Sequence, residues 1–319
     1  MSVKINGCRS LSEITEPGLQ IVSIDKGLKI IKGICMQHTI AKSVEFNGVG
    51  LHSGVAVKLV IEPADAGTGI VFVRSDISGF APLAAIYSNV VDTRNCTCLG
   101  DKNGQIISTI EHLMAALSAL KIDNALVKVN APEMPILDGG ALLFYNELKK
   151  AGLAEQSAPR RILKIVKKVE FHDDKGNHVT LEPSEQFHVH FTIDFPSPVV
   201  GHQEFDGAIN EDIFFSQIAP CRTFCEKSQI DYLRSIGLIK GGSLDNAVVL
   251  DGDKILNPDG FRVKNECVNH KVLDAIGDMA TCGFAIKGKL TAYHSGHFHN
   301  NQILQVLFAN SSNYTIEEE

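Results

Sequence analysis

The sequence predicts an α+β protein built as two domains, and three observations carry that expectation. Segments in which apolar and polar residues alternate, rich in β-branched side chains, read as strands. Two other segments, 109–120 and 265–282, repeat their apolar residues at helical spacing. Several strands plus two helices occur twice, on either side of the polar, Pro-containing stretch Glu155-Gln-Ser-Ala-Pro-Arg-Arg161, where the domain boundary is expected.

Each element follows in order. Residues 1–35 lack a pattern and read as an N-terminal extension, with Met36 as an alternative natural start. The first domain, 36–158, begins Met36-Gln-His-Thr-Ile, and a strand follows from Ser43. The glycine-rich turn Gly48-Val-Gly-Leu-His-Ser-Gly54 leads to strands over 55–62 and 69–74. The helix over 109–120 buries Ile110, Leu113, Met114, Leu117 and Leu120; a strand (124–130) and a helix (141–151) complete this half. The second domain, 159–312, opens with strands over 162–172, 178–183 and 187–195. After a mixed segment, 213–251, comes the helix over 265–282, ended by Gly283 as a C-terminal cap. A strand (289–294) and a helix (300–309) finish the domain, leaving 313–319 as a tail.

Composition narrows the function. The 319 residues are 44% apolar and 21% charged, with a formal net charge of −7, so bulk attraction to nucleic acid is not expected. No uncharged apolar run approaches the ~18 residues of a spanning helix, and Lys4, Arg9, Glu13 and Glu16 interrupt any secretory signal. A cytoplasmic monomer is the expectation. The eight cysteines, at 8, 35, 96, 98, 221, 225, 267 and 282, form no Cys-x-x-Cys pair and read as reduced thiols in a reducing compartment.

Chemistry concentrates in two helices. In His270-Lys-Val-Leu-Asp274-Ala-Ile-Gly-Asp278 the three named positions are four apart and share one stripe, opposite Val268, Val272, Ile276 and Met279. That stripe reads either as a solvated face whose ion pairs contribute only ~0.2–0.5 kcal/mol each, or as a His and a carboxylate one turn apart, able to chelate a divalent metal. The other helix begins Ser108-Thr-Ile-Glu111-His112, where Ser108 and Glu111 fit a capping box. Against the capping reading, Ala115, Ala116 and Ala119 leave room for a second element beside His112. If the helices meet, His112, His270 and Asp274 give two imidazoles and a carboxylate with a fourth position open, the catalytic form of a zinc site. Glu111 then stands next to a ligand as general base. His297, after Gly296, reads as an exposed loop residue or as an imidazolium supported by Asp278 that steadies an oxyanion and protonates a leaving amine.

With these residues in hand, the chain resembles the UDP-3-O-acyl-N-acetylglucosamine deacetylase family of lipid A biosynthesis, zinc amidohydrolases. The likeness runs from about residue 37 to 308. It rests on the Gly48–Gly54 turn, Ser108-Thr-Ile-Glu-His112, Pro135-Ile-Leu-Asp-Gly139, Arg222-Thr-Phe224, Gly241-Gly-Ser243, the His270–Asp278 helix and Ser295-Gly-His297. The resemblance implies two domains of similar topology whose helices are sandwiched between two sheets, with the two motif helices facing each other. It implies Zn²⁺ on His112, His270 and Asp274 (Fe²⁺ being an alternative occupant in the cell), Glu111 as base, and His297 backed by Asp278 as the cationic partner. Thr223 is implied as an oxyanion donor. Lys271 is implied in substrate binding, or is a solvated cation. The segment 230–249 resembles an acyl-chain passage, with Ile230, Ile239, Gly242, Ser243, Ala247 and Val249 as its lining, and otherwise reads as ordinary core. Phe224 is implied along the same groove, and Asp194 and Phe195 near the uracil of a UDP-sugar lipid substrate.

Two positions depart from the family pattern, His294 standing where Lys or Arg is common for the diphosphate and Asn95 where an apolar residue is frequent; Cys96 is implied near the metal, as an extra thiol ligand for inhibitory metal. Two other functions compete with the deacetylase. Two His and a carboxylate also describe a non-haem Fe(II) oxygenase. A non-catalytic lipid- or nucleotide-sugar-binding module would use the same residues only to cap and solubilise helices.

Overall fold

Alternating residues of the first half pair into a five-stranded sheet in the order Val44–Val49, Ala56–Pro63, Ala125–Val129, Ile70–Arg74, Leu83–Ala84. Val57, Leu59 and Ile61 turn inward while Ala56 and Lys58 face water, as a period of two requires. Ala125–Val129 runs antiparallel to Ala56–Pro63 and parallel to Ile70–Arg74. The structure, a computed structural model, describes residues 19–24, 27–32 and 35–319. Residues 1–18 of the expected N-terminal extension lie outside the described residues, and Leu19–Ile24 pairs with Gly27–Lys32 as an antiparallel hairpin.

The second half builds a seven-stranded sheet around Ala285–Tyr293. That strand is antiparallel to His178–Glu182 and parallel to both Arg161–Ile165 and Phe187–Asp194. The strand expected over 162–172 is two strands, Arg161–Ile165 and Val169–His172. The expected tail is also a strand: Tyr314–Glu318 closes the sheet edge against Arg161–Ile165. Much of the polar stretch around Glu155 is not a bare linker, because Leu153–Pro159 pairs antiparallel with Met36–Ile40. Its small and polar residues lie half-exposed on a two-stranded ribbon, where apolar alternation is not needed.

The helices are α1 (Glu111–Ala119), α2 (Leu142–Ala151), α3 (Glu211–Ile213), α4 (Lys227–Ser235), α5 (Glu266–Ala280) and α6 (His297–Phe308). α1 packs on α2 and α5, α2 against Val44–Val49, α5 on α6 and Phe187–Asp194, and α6 on Val169–His172 and His178–Glu182. The motif helices therefore lie between the sheets, and one continuous apolar core joins Phe46, Ile61 and Phe72 to Leu113, Ile276 and Leu290. Both faces of α5 are buried: Val268, Val272, Ile276 and Met279 on one, His270, Asp274 and Asp278 on the other. Among the described residues no helix is long and apolar enough to cross a membrane.

Close approach of α1 and α5 depends on Gly277, where a Cβ would stand 2.0 Å from the backbone oxygen of Glu111. No flexible side chain can give way there. Gly277→Ala is therefore expected to destabilise the fold by about 1–3 kcal/mol through overpacking, read as a lower denaturation midpoint; an unchanged midpoint would contradict this helix contact.

Candidate active site

The three converging side chains are brought together by the α1–α5 contact. His112 is in the first turn of α1, and His270 and Asp274 are one turn apart on α5, so the imidazole rings meet edge to face with centroids 5.1 Å apart. Nε2 of His112 lies 3.6 Å and Nε2 of His270 3.5 Å from the same oxygen, Oδ1 of Asp274. These separations are too long for good hydrogen bonds, yet they approach the edge, about 3.3 Å, of a tetrahedron with ~2 Å bonds around one ion. All three donor atoms fall within 4.8 Å of one another, and all three residues are buried. The donor set and its spacing fit a divalent cation with one position left open.

His270 is oriented for that purpose: its Nδ1 donates to the Cys221 carbonyl at 3.0 Å, which turns Nε2 inward. Burial holds the ring neutral, with its pKa pulled down to about 3, so the Nε2 lone pair is free to coordinate. Burial opposes the charge on Asp274, but His270 and Lys271 hold its carboxyl well below the usual range.

Glu111 is not a helix cap. Residue 110 occupies the cap position without a side-chain bond, Ser108 Oγ donates to the Pro132 carbonyl, and Glu111 turns into the core. Its Oε2 accepts the Thr97 N–H at 2.9 Å. Burial raises its pKa against the opposing influence of His297 and His112, which makes it a better proton acceptor than an exposed carboxylate.

His297 is likewise not a loop residue; it opens α6 and is buried. Its Nδ1 donates to Asp278 Oδ2 at 2.8 Å, and its Nε2 lies 4.0 Å from Asp274 Oδ2. Burial works against the cation, but Asp278, with Asp274 and Glu111 behind it, raises the pKa to about 9.

Above these groups opens a cavity of about 810 Å³. Thr223, Phe224, Ile230, Ile239, Gly242, Ser243, Ala247, Val249, Lys271 and His297, all named from the sequence, line it. Segment 230–249 is thus a cavity wall rather than sealed core. Lys271 is not a free cation: its ammonium donates to Asp274 Oδ2 at 3.0 Å and lies 5.8 Å from the centre of the Phe224 ring. Burial works against its charge, but the Asp274 carboxylate prevails and the pKa is raised. A second cavity, of about 640 Å³, shares Phe224 and Lys271 with the first and holds Phe195, whose ring is 5.3 Å from that of Phe224. Asp194 is exposed and lines neither cavity; its carboxylate binds His202 and the Tyr293 hydroxyl.

Several supports of the site were given no role of their own in the sequence reading. His52 lines the main cavity with both ring nitrogens buried, held there because its backbone N–H and that of Ser53 donate to Glu133 at 2.7 and 2.8 Å. A histidine inside the glycine-rich turn was the available signal. Thr223 is fixed from outside its own strand: its N–H donates to the Gly139 carbonyl at 2.9 Å. Gly139 has φ +86° and presses against the Asn246 backbone, so no larger residue could carry that carbonyl. Next to it, Arg222 is buried and donates twice to Oε1 of Glu266, in the first turn of α5.

The departures also have structural readings. Asn95 has φ +64°, a left-handed turn that Asn tolerates better than most residues. His294 lines the cavity, and its Nε2 lies 3.1 Å from the Asp194 N–H and 3.5 Å from Asp194 Oδ2. Cys96 is buried, and burial with Glu111 nearby keeps its thiol protonated.

Known proteins share this arrangement of sequence. The sequence profile of UDP-3-O-acyl N-acetylglycosamine deacetylases matches residues 37–309. The UDP-3-O-acyl-N-acetylglucosamine deacetylase of Phenylobacterium zucineum is 45% identical over 274 residues, covering 86% of this chain and 93% of its own. The Helicobacter pylori protein of the same name is 43% identical over 280 residues (88% and 94%), and that of Shewanella oneidensis 46% over 275 residues (86% and 90%).

Proposed function

Because the chain belongs to the UDP-3-O-acyl N-acetylglycosamine deacetylase family, whose members hydrolyse an amide, we propose that it removes the N-acetyl group of UDP-3-O-(3-hydroxyacyl)-N-acetylglucosamine. The products are acetate and a free amine, the committed step of lipid A biosynthesis, and the reaction is zinc-dependent and cytoplasmic. The observation that carries this reading is the convergence of two imidazole nitrogens on one oxygen of Asp274, with Glu111 and His297 flanking it.

His112, His270 and Asp274 would hold the zinc ion, which when bound would supply an acidic water and a Lewis acid for the amide carbonyl. Glu111 takes the proton of the attacking water. The Thr223 hydroxyl donates to the oxyanion as it develops, and the His297 cation steadies the same charge. When the C–N bond breaks, the acyl carbon keeps the water oxygen and leaves as acetate. The glucosamine nitrogen takes its proton from His297.

Binding follows from the walls. Ile230, Ile239, Gly242, Ser243, Ala247 and Val249 take the acyl chain, at ~0.8 kcal/mol for each methylene buried. Phe224 lies at the junction with the second cavity, where Phe195 and, further out, Asp194 serve the uridine end. Lys271, on the wall common to both cavities, binds the polar part between them.

Acetate release from this substrate, together with metal content by mass spectrometry, tests the proposal before and after chelation. Release is expected to vanish with the metal and return on adding Zn²⁺. Equal release from metal-free protein would overturn it, and a strict need for O₂ would favour the oxygenase.

A further inference from the structure

The two proton-handling side chains, Glu111 on α1 and His297 on α6, belong to different helices, and one residue outside both is bonded to each side of the pair. Thr97 is buried just before the short strand Cys98–Gly100. Its backbone N–H donates to Glu111 Oε2 at 2.9 Å, and its carbonyl accepts the N–H of Ile110, the cap residue of α1, at 3.4 Å. Its hydroxyl donates to Asp278 Oδ1 at 2.5 Å. Asp278 Oδ2 meanwhile accepts from His297 Nδ1 at 2.8 Å and Asn300 Nδ2 at 2.9 Å. Asn300 is itself tied to the Ser295 hydroxyl at 2.9 Å.

We propose that Thr97 is a positioning residue that holds the base and the cationic acid in register, its amide aiming Glu111 and its hydroxyl locking the Asp278 carboxylate onto His297. This rests on the deacetylase reading above. The physical argument is rotational. A carboxylate bound through Oδ2 alone can swing about its Cβ–Cγ bond and carry the imidazole with it. A third donor on Oδ1 removes that freedom, and its loss leaves a buried acceptor unsatisfied. Glu111 is treated the same way: with Oε2 occupied by an amide that no ordinary substitution deletes, Oε1 is the oxygen left to take a proton. Proton transfer tolerates little misplacement, since a shift of ~1 Å can cost about 10²-fold in rate.

Substitution of residue 97 separates the two bonds, because every residue except proline keeps the amide. Thr97→Val deletes only the hydroxyl, and is expected to lower kcat by about 10–100-fold with KM and metal content little changed. Thr97→Ser restores the hydroxyl and most of the rate. Thr97→Ala, which adds no bulk, is expected to repeat the Val result, so that crowding by valine does not account for the loss. A kcat that survives in Val and Ala, a loss confined to KM, or a serine variant no better than valine would each overturn the proposal. An activity-free measurement keeps this distinct from failure of the deacetylase reading. The downfield imidazole N–H proton of His297, assigned with His297→Gln, should shift or broaden in Val and return in Ser, even if wild-type protein releases no acetate. Identical spectra in all three proteins would count against the hydroxyl's role.

Discussion

Glu111→Gln is expected to lower kcat by about 10²–10⁴-fold, the usual contribution of a positioned general base, while leaving bound metal in place. The substitution keeps the shape of the side chain, and the glutamine carbonyl oxygen can still accept the Thr97 N–H. What it removes is the capacity to take a proton. Two neighbours do not take over that role: His297 is held as a cation by Asp278, and burial keeps the Cys96 thiol protonated. Because Glu111 is not among the three converging donors, metal content should match wild type. Initial rates of acetate release, read beside metal analysis of the same preparation, decide the matter. A variant of unchanged kcat would remove Glu111 from the chemistry and revive the binding-module alternative.

Asp274→Asn is the second large effect, and it acts through the metal. Asp274 supplies the only anionic donor among the three, and the imidazoles of His112 and His270 converge on its Oδ1. Asparagine keeps the volume and an acceptor for Lys271, so the fold should survive, but the charge that offsets a divalent ion is lost. Affinity should fall by more than the ~10–100-fold typical of outer-shell changes, and activity should fall with it. Thermal unfolding provides a check independent of turnover. A ligand at 100 times its Kd stabilises the native state by about 2.7 kcal/mol, so Zn²⁺ added to metal-free wild type should raise its Tm. It should leave the variant nearly unmoved. Full metal occupancy in Asp274→Asn would rule out a ligand role for Asp274.

Much of the candidate site was legible because its residues sit on periodic elements. A spacing of four places His270, Asp274 and Asp278 on one stripe whatever the surroundings, and the apolar positions of both helices marked one buried face of each. The features that the residues alone left open are those with two local solutions. Ser108 and Glu111 satisfy a capping box on paper, but in the fold Glu111 is drawn away by the Thr97 amide. His297 after Gly296 looks like a loop residue, yet Asp278 reaches it from another helix across 19 positions of chain. The ribbon Leu153–Pro159 lacked alternation because it packs on no deep core, so its pairing with Met36–Ile40 left no pattern to read.

By itself, then, the sequence determined the α+β class, the two motif helices and the identity of the converging donors, because periodicity and residue chemistry are local. Tertiary structure alone decided that α1 and α5 touch at Gly277, that the polar stripe is buried rather than solvated, and that Thr97 and Gly139 brace the site. The reason is physical: whether a polar side chain faces water or a partner depends on what packs over it, and those partners arrive from distant parts of the chain.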